Sequence, residues 1–286
     1  MTAAERGRIA VLGAGTMGHG IAHVAALAGR ETVLHDADPG ALAAAVERIR
    51  ANLDRGVELG KVEAEAREAA LARLRTAGSL EEAVAGAEFV IEAVPERIGL
   101  KREVLGRAAE GVEPDAVLAT NTSSLSITAI ADGLPVPERI VGMHFFNPVH
   151  IMALVEIVRG DRTAVRVVDR ARGLAEEMGK TPIVVRDTPG FASSRLGVAL
   201  GLEAIRMLED GVASAADIDR AMELGYRHPM GPLRLSDLVG LDVRLEIARY
   251  LHRELGGERF RPPDLLERMV AEGKLGKKSG QGFYSW

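Results

Sequence analysis

Short apolar runs rich in β-branched residues alternate with longer Ala-, Leu- and Glu-rich stretches of helical period from Arg8 to about residue 186. The apolar runs are Arg8 to Leu12, Glu31 to His35, Glu88 to Ala93, Ala116 to Thr120, Arg139 to Phe145, Ala153 to Val158 and Thr181 to Val185. Their near-continuous apolar character predicts strands buried on both faces, and the alternation predicts a parallel sheet covered by helices. Between the second and third runs, Pro39 to Arg75 keeps a helical pattern interrupted near Gly56 and Gly60, which predicts a helical pair or hairpin projecting from the sheet. Asp38 before Pro39 reads as a helix N-cap, and Ser79 with Glu82 as a capping box. Past Asp187-Thr-Pro-Gly190 the strand signal stops and the pattern is helical to Gly273. The expected architecture is α/β: a Rossmann-type doubly wound domain over 1–186 with a helical insertion near 39–75, then a smaller all-helical domain over 187–286 that shares the substrate cleft.

Composition narrows the partners. The 286 residues exceed what one core usually serves, and 47% hydrophobic content supplies ample apolar material. A net charge of -5 leaves no basic excess, so nucleic acid is not an expected partner. The chain has no cysteine, which excludes disulfides, a thiol nucleophile and thiolate metal sites and agrees with a reducing cytoplasm. No metal site is expected. Met1 to Arg8 lacks the apolar core of a signal peptide, and no stretch offers about 18 uncharged apolar residues, so no membrane partner is expected and the reading is of a soluble cytoplasmic protein. Leu196, Ala199, Leu200, Ala204, Met207 and Leu208 recur with helical spacing, and a small domain often buries such a stripe against another copy, which predicts a homodimer.

The first chemistry-bearing motif is Gly13-Ala14-Gly15-Thr16-Met17-Gly18, placed after an apolar strand and opening a helical pattern. That context marks a dinucleotide-binding turn. Gly13 permits the tight turn, Gly15 lets the backbone approach a pyrophosphate, and Gly18 allows close helix–strand packing with the helix N-terminus facing the phosphates. The second strand then ends at Asp36, whose carboxylate suits two ribose hydroxyls and repels a 2′-phosphate; no Arg or Lys follows within several residues, so NAD is favoured over NADP.

Oxidising an alcohol needs a group that takes the hydroxyl proton, and His suits this near neutral pH. Among seven histidines, His19, His23 and His35 belong to the cofactor half-unit, and His150, His228 and His252 sit in loop, Pro-rich or charged contexts. His144 stands at the C-terminal end of a strand, where sites of open α/β sheets gather. Glu156 lies inside an apolar run, where burial demands a partner. If the two strands pair antiparallel about the Pro148 to Met152 turn, residues whose numbers sum to 300 face each other, and His144 and Glu156 are such a pair. The carboxylate would then fix the imidazole tautomer and stabilise its charged form.

These motifs occur with Val94-Pro-Glu96, Asn121-Thr-Ser-Ser124, Gly142-Met-His-Phe-Phe-Asn-Pro148, Asp187-Thr-Pro-Gly-Phe191, Met230-Gly-Pro232, Asp237-Leu-Val-Gly-Leu-Asp242 and Gly276-Lys-Lys-Ser-Gly-Gln-Gly-Phe-Tyr284. Together they resemble the L-3-hydroxyacyl-CoA dehydrogenases, 3-hydroxybutyryl-CoA dehydrogenases included, almost end to end. The resemblance implies reversible NAD-dependent oxidation of the 3-hydroxyl of an acyl-CoA to the 3-oxoacyl-CoA, in fatty acid β-oxidation. It implies His144 as base, Glu156 as its partner, and Ser123 as the hydroxyl that binds the substrate oxygen beside the nicotinamide. It adds Glu96, Lys101, Ser123, Asn147 and Lys278 as cofactor contacts, although Lys101 and Lys278 by themselves read as solvated lysines. Asn52 and Lys61, in the helical pair, match the region that holds part of coenzyme A.

One departure stands out. The family has Asn one residue before Arg-Leu after Pro-Gly-Phe, and this chain has Ser194. A Ser reaches less far, and one lost substrate contact costs about 1 to 3 kcal/mol of transition-state stabilisation, which bears on substrate and rate rather than reaction type. Two competing readings are a dehydrogenase of a sugar or hydroxy acid lacking CoA, and a non-catalytic NAD-binding regulator; the latter has no use for Ser123, His144 and Glu156.

Overall fold

The computed structural model describes residues 7–286, so most of the Met1 to Arg8 segment read for a signal peptide lies outside the described residues. The chain forms two compact units, Met1–Thr188 and Pro189–Trp286.

The first unit is built on an eight-stranded sheet of order β3-β2-β1-β4-β5-β6-β7-β8. Its strands are β1 (Arg8–Leu12), β2 (Thr32–His35), β3 (Leu74–Thr76), β4 (Ala87–Glu92), β5 (Val117–Thr120), β6 (Ile140–Phe145), β7 (Leu154–Arg159) and β8 (Thr181–Arg186). All neighbours run parallel except β6 and β7. Strand order reverses between β1 and β4, and a crevice at the carboxyl ends of the strands results there. Seven strands coincide with the apolar runs to within a residue or so at each end. The eighth, β3, falls inside the stretch read as helical: the helix stops at Arg73, and Leu74 to Thr76 pair with β2. One half-buried and two exposed residues held by backbone hydrogen bonds carry no apolar run to detect. β8 is an edge strand with Ile183 and Val184 exposed, so the expectation of burial on both faces fails there.

The helical pair is α2 (Pro39–Glu58) and α3 (Ala64–Arg73), following α1 (Gly18–Leu27). The chain turns at Gly60, with φ +63, whereas Gly56 lies within α2, where a Cβ would come 2.7 Å from Val62 Cγ2. The pair packs on α1 rather than standing clear: Ala45, Ile49, Leu53 and Ala70 are fully buried in the core that also holds Ile9, Val11 and Ile21. Asp38 Oδ1 accepts from Gly40 N at 2.8 Å, capping α2. Ser79 Oγ accepts from Glu82 N at 3.1 Å, and the Glu82 carboxylate reaches back to the Gly78 N–H, one residue earlier than a capping box requires. Downstream come α4 (Leu80–Val84), α5 (Ile98–Gly111), α6 (Ile127–Ala131) and α7 (Val165–Glu177). No helix among the described residues is long and apolar enough to cross a membrane.

The second unit holds α8 (Ser193–Glu209), α9 (Ala215–Gly225), α10 (Pro232–Val239), α11 (Leu241–Leu255) and α12 (Asp264–Ala271) around Leu202, Ile205, Leu233, Leu245 and Leu266. Ala204 of the predicted interface stripe belongs to this internal core, and Leu196 is 71% exposed, so the stripe does not act as one face. The carboxylate of Asp237 accepts from Phe283 N and Tyr284 N at 2.9 Å and from Trp286 Nε1 at 3.0 Å, clasping the C-terminal segment. A Cβ on Gly282 would stand 2.0 Å from Asp237 Oδ1, which accounts for the glycine of the Gly-Phe-Tyr motif.

Candidate active site

Between β1 and α1 the glycine loop turns at Gly13, with φ +105 and space for a Cβ blocked by Ala93 O at 2.6 Å. Gly18 is equally constrained, since a Cβ would lie 1.7 Å from Gly13 O. At Gly15 a Cβ would meet nothing within 4 Å, because the residue borders a cavity of about 920 Å³. Thr16, Met17 and Asp36 line the same cavity. Asp36 Oδ2 accepts from Ala14 N at 2.7 Å and Oδ1 from Asp38 N at 2.9 Å, so the carboxylate is aimed by backbone donors on either side. A glycine open to a dinucleotide-sized cavity, at a helix N-terminus and beside an oriented carboxylate, fits NAD. Arg48 reaches the Ala14 carbonyl at 3.2 Å without lining the cavity; the linear search for cations after Asp36 could not find it.

Ser123, His144 and Asn147 also line this cavity. β6 and β7 pair antiparallel in the register Gly142↔Val158 and His144↔Glu156. His144 Nδ1 and Glu156 Oε2 are 2.7 Å apart, with the His144 side chain 8% exposed and the carboxylate wholly buried. Asn121 Oδ1 accepts from Phe145 N at 3.0 Å, tying the end of β5 to the strand that carries His144.

Glu96 borders the cavity and organises the loop after β5. Its Oε1 accepts from Thr122 Oγ1, from Ser123 N at 3.3 Å and from Ser124 Oγ at 3.4 Å. Lys101 is not solvated and does not line the cavity. It is fully buried, with Nζ 2.9 Å from Glu92 Oε1 and 3.3 Å from Glu96 Oε2, which corrects the reading of a surface lysine. Sequence reasoning missed Glu92, although an acid inside an apolar run, here Glu88 to Ala93, is the signal that singled out Glu156. Burial pushes the Glu92 carboxyl up, and Lys101, Thr120 Oγ1 and Val94 N pull the other way.

Two family models match the chain: the 3-hydroxyacyl-CoA dehydrogenase NAD binding domain over residues 8–188 and the 3-hydroxyacyl-CoA dehydrogenase C-terminal domain over residues 190–286. The chain belongs to the 3-hydroxyacyl-CoA dehydrogenase family. It is 44% identical over 279 residues to the probable 3-hydroxybutyryl-CoA dehydrogenase of Bacillus subtilis, covering 98% of this chain and 97% of that one. Over 279 residues it is 40% identical to the 3-hydroxybutyryl-CoA dehydrogenase of Bradyrhizobium diazoefficiens, covering 98% and 95%. The crystal structure of (S)-3-hydroxybutyryl-CoA dehydrogenase PaaH1 from Ralstonia eutropha superposes with a TM-score of 0.94 at 38% identity, covering 98% of each chain. The chain is thus an NAD-dependent oxidoreductase acting on 3-hydroxyacyl-CoA.

The remaining residues implied by resemblance to these dehydrogenases lie elsewhere. Lys278 sits in the second unit with Nζ 2.5 Å from Asp242 Oδ2, and Ser194 in the first turn of α8. Asn52 and Lys61 line a second cavity of the first unit, of about 590 Å³, along with His23, Arg55, His150 and Lys180. His23 and His150 stack at 5.4 Å. Burial first, then repulsion from His150, His19 and Lys180, push His23 down to about 4, and its Nδ1 has no hydrogen-bond partner among the described residues. Nothing in the helical pattern around His23 distinguished it from an ordinary helix-face residue.

Proposed function

We propose that the enzyme oxidises a short 3-hydroxyacyl-CoA, 3-hydroxybutyryl-CoA being the model substrate, with His144 as general base and Glu156 as its partner. The observation that carries this reading is the 2.7 Å contact between His144 Nδ1 and Glu156 Oε2 in the cavity that also holds Ser123 and the glycine loop. With Nδ1 turned to Glu156, the 3-hydroxyl proton is taken at Nε2, and the buried carboxylate stabilises the imidazolium. Bound NAD supplies the acceptor for the hydride from C3. Ser123 donates to the substrate oxygen, and Asp36 receives the ribose hydroxyls. In the reverse direction the imidazolium returns the proton to the 3-oxo group. Several relatives carry 3-hydroxybutyryl-CoA in their names, which supports a short acyl chain.

The second cavity suits the phosphate-bearing end of coenzyme A, because Arg55, Lys61 and Lys180 bring cations to its walls. We assign the reaction to fatty acid β-oxidation in the cytoplasm. A homodimer through the second unit is supported by exposed Val212, Leu224 and Tyr226, and a monomer in analytical ultracentrifugation at micromolar concentration overturns it. A spectrophotometric panel of 3-oxoacyl-CoA esters tests the substrate. NADH should outperform NADPH, and acetoacetyl-CoA should outperform long-chain esters; turnover of a CoA-free hydroxy acid with none of the thioesters contradicts the reading. Ser194→Asn is expected to raise kcat/KM for acetoacetyl-CoA by about 5- to 150-fold, the equivalent of the 1 to 3 kcal/mol of one substrate contact.

A further inference from the structure

We infer that Lys101 is a positioning residue for this reaction, holding Glu96 and, through Glu96, the Thr122 to Ser124 segment that presents Ser123. The inference rests on Ser123 being a substrate-binding hydroxyl.

An ammonium group has three protons to donate. Around Lys101 Nζ stand four acceptors: Glu92 Oε1 at 2.9 Å, Val94 O at 3.2 Å, Glu96 Oε2 at 3.3 Å and Asn121 O at 3.4 Å. They come from the ends of β4 and β5 and the loop leaving β4, so a single cation draws together the backbone on which the cavity's rim is built. The donors are saturated and the side chain is fully buried, which leaves Lys101 nothing to offer a cofactor directly. Neutralising Glu92 alone would require one of these contacts. The second acid, Glu96, has a side chain 39% exposed and could turn toward water, yet it is held inward. Its other oxygen then fixes Thr122, Ser123 N and Ser124, and Thr122 Oγ1 in turn accepts from Ser124 N at 3.3 Å and Leu125 N at 3.0 Å. Without the cation, Glu96 loses its anchor and the loop its set; displacements of about 1 Å suffice to slow a positioned reaction severely.

The competing account is that Lys101 only neutralises Glu92. The double variant Glu92→Gln/Lys101→Met separates the two, since it leaves no unpaired buried charge while still freeing Glu96. The expected result is a folded protein that binds NADH like the wild type but has kcat for acetoacetyl-CoA reduced about tenfold. Ser123→Ala, which should cost about tenfold in the wild type, should cost only about twofold in that background, because residues acting through one another are not additive. Wild-type kcat in the double variant, or an undiminished Ser123→Ala effect in it, overturns the inference. A silent Ser123→Ala in the wild type overturns the reading of Ser123 itself. Should the double variant not fold, Glu96→Gln keeps the Glu92–Lys101 pair intact; at saturating NADH its kcat should fall about tenfold and Ser123→Ala should cost only about twofold in it, whereas wild-type kcat or an undiminished Ser123→Ala effect overturns the inference.

Discussion

Two carboxylates are wholly buried in one sheet, Glu92 at the end of β4 and Glu156 in β7, and their surroundings differ in kind. Glu92 meets the ammonium of Lys101, which is also surrounded by carbonyls and a second acid, and neither side chain lines the cavity. Glu156 meets the imidazole of His144, which does line it. An ammonium offers only donors and serves as a fixed tie, whereas an imidazole has one nitrogen to hold a carboxylate and another to pass a proton, and can serve the chemistry. Burying an acid is therefore not itself a sign of catalysis; the titratability and exposure of its partner decide.

Variants can break this contrast. The largest expected effect is on stability: Lys101→Met strands Glu92 without its cation, and urea unfolding should show a loss of about 4 kcal/mol, with no such loss in Glu92→Gln/Lys101→Met. If the single variant is as stable as the wild type, Lys101 is not a tie. Next, Glu156→Gln keeps a hydrogen-bonding group beside His144 but removes the charge; kcat should fall about 10²-fold with the urea midpoint little changed. A loss of stability without loss of kcat would place Glu156 in the class of Glu92.

A smaller effect comes from His23, a buried base with no opposite charge. Its pKa is lowered from 6.5 to about 4, so the folded protein binds fewer protons than the unfolded chain between those values. The sign follows: the contribution is present above pH 6.5 and is lost as pH falls toward 4. Between pH 7 and pH 5 the wild type should lose about 2 kcal/mol more than His23→Gln in urea titrations. Parallel pH curves for the two proteins would show that His23 is protonated at no cost.

How much of this was legible in the sequence depends on how local the determinant is. The glycine turn and Asp36 are set by adjacent residues, and the His144–Glu156 pairing by a short turn that fixes register between two strands, so pattern and spacing suffice. Lys101 is different. A lysine one turn into a helix reads as solvated unless its acids are known to converge, and Glu92, Glu96 and Asn121 do so only through the sheet's crossover order. The same holds for His23, whose neighbours His150 and Lys180 come from distant loops. β3 escaped because three residues at a sheet edge are stabilised by backbone pairing, which has no side-chain signature.

The central claim is that His144 moves the substrate proton. It is tested most directly by NADH oxidation with acetoacetyl-CoA in His144→Gln, with NADH affinity measured in parallel by fluorescence titration. Loss of a general base predicts a fall in kcat of about 10³-fold at unchanged NADH affinity. Turnover within about twofold of wild type, when a missing base should cost at least 10²-fold, would contradict the account.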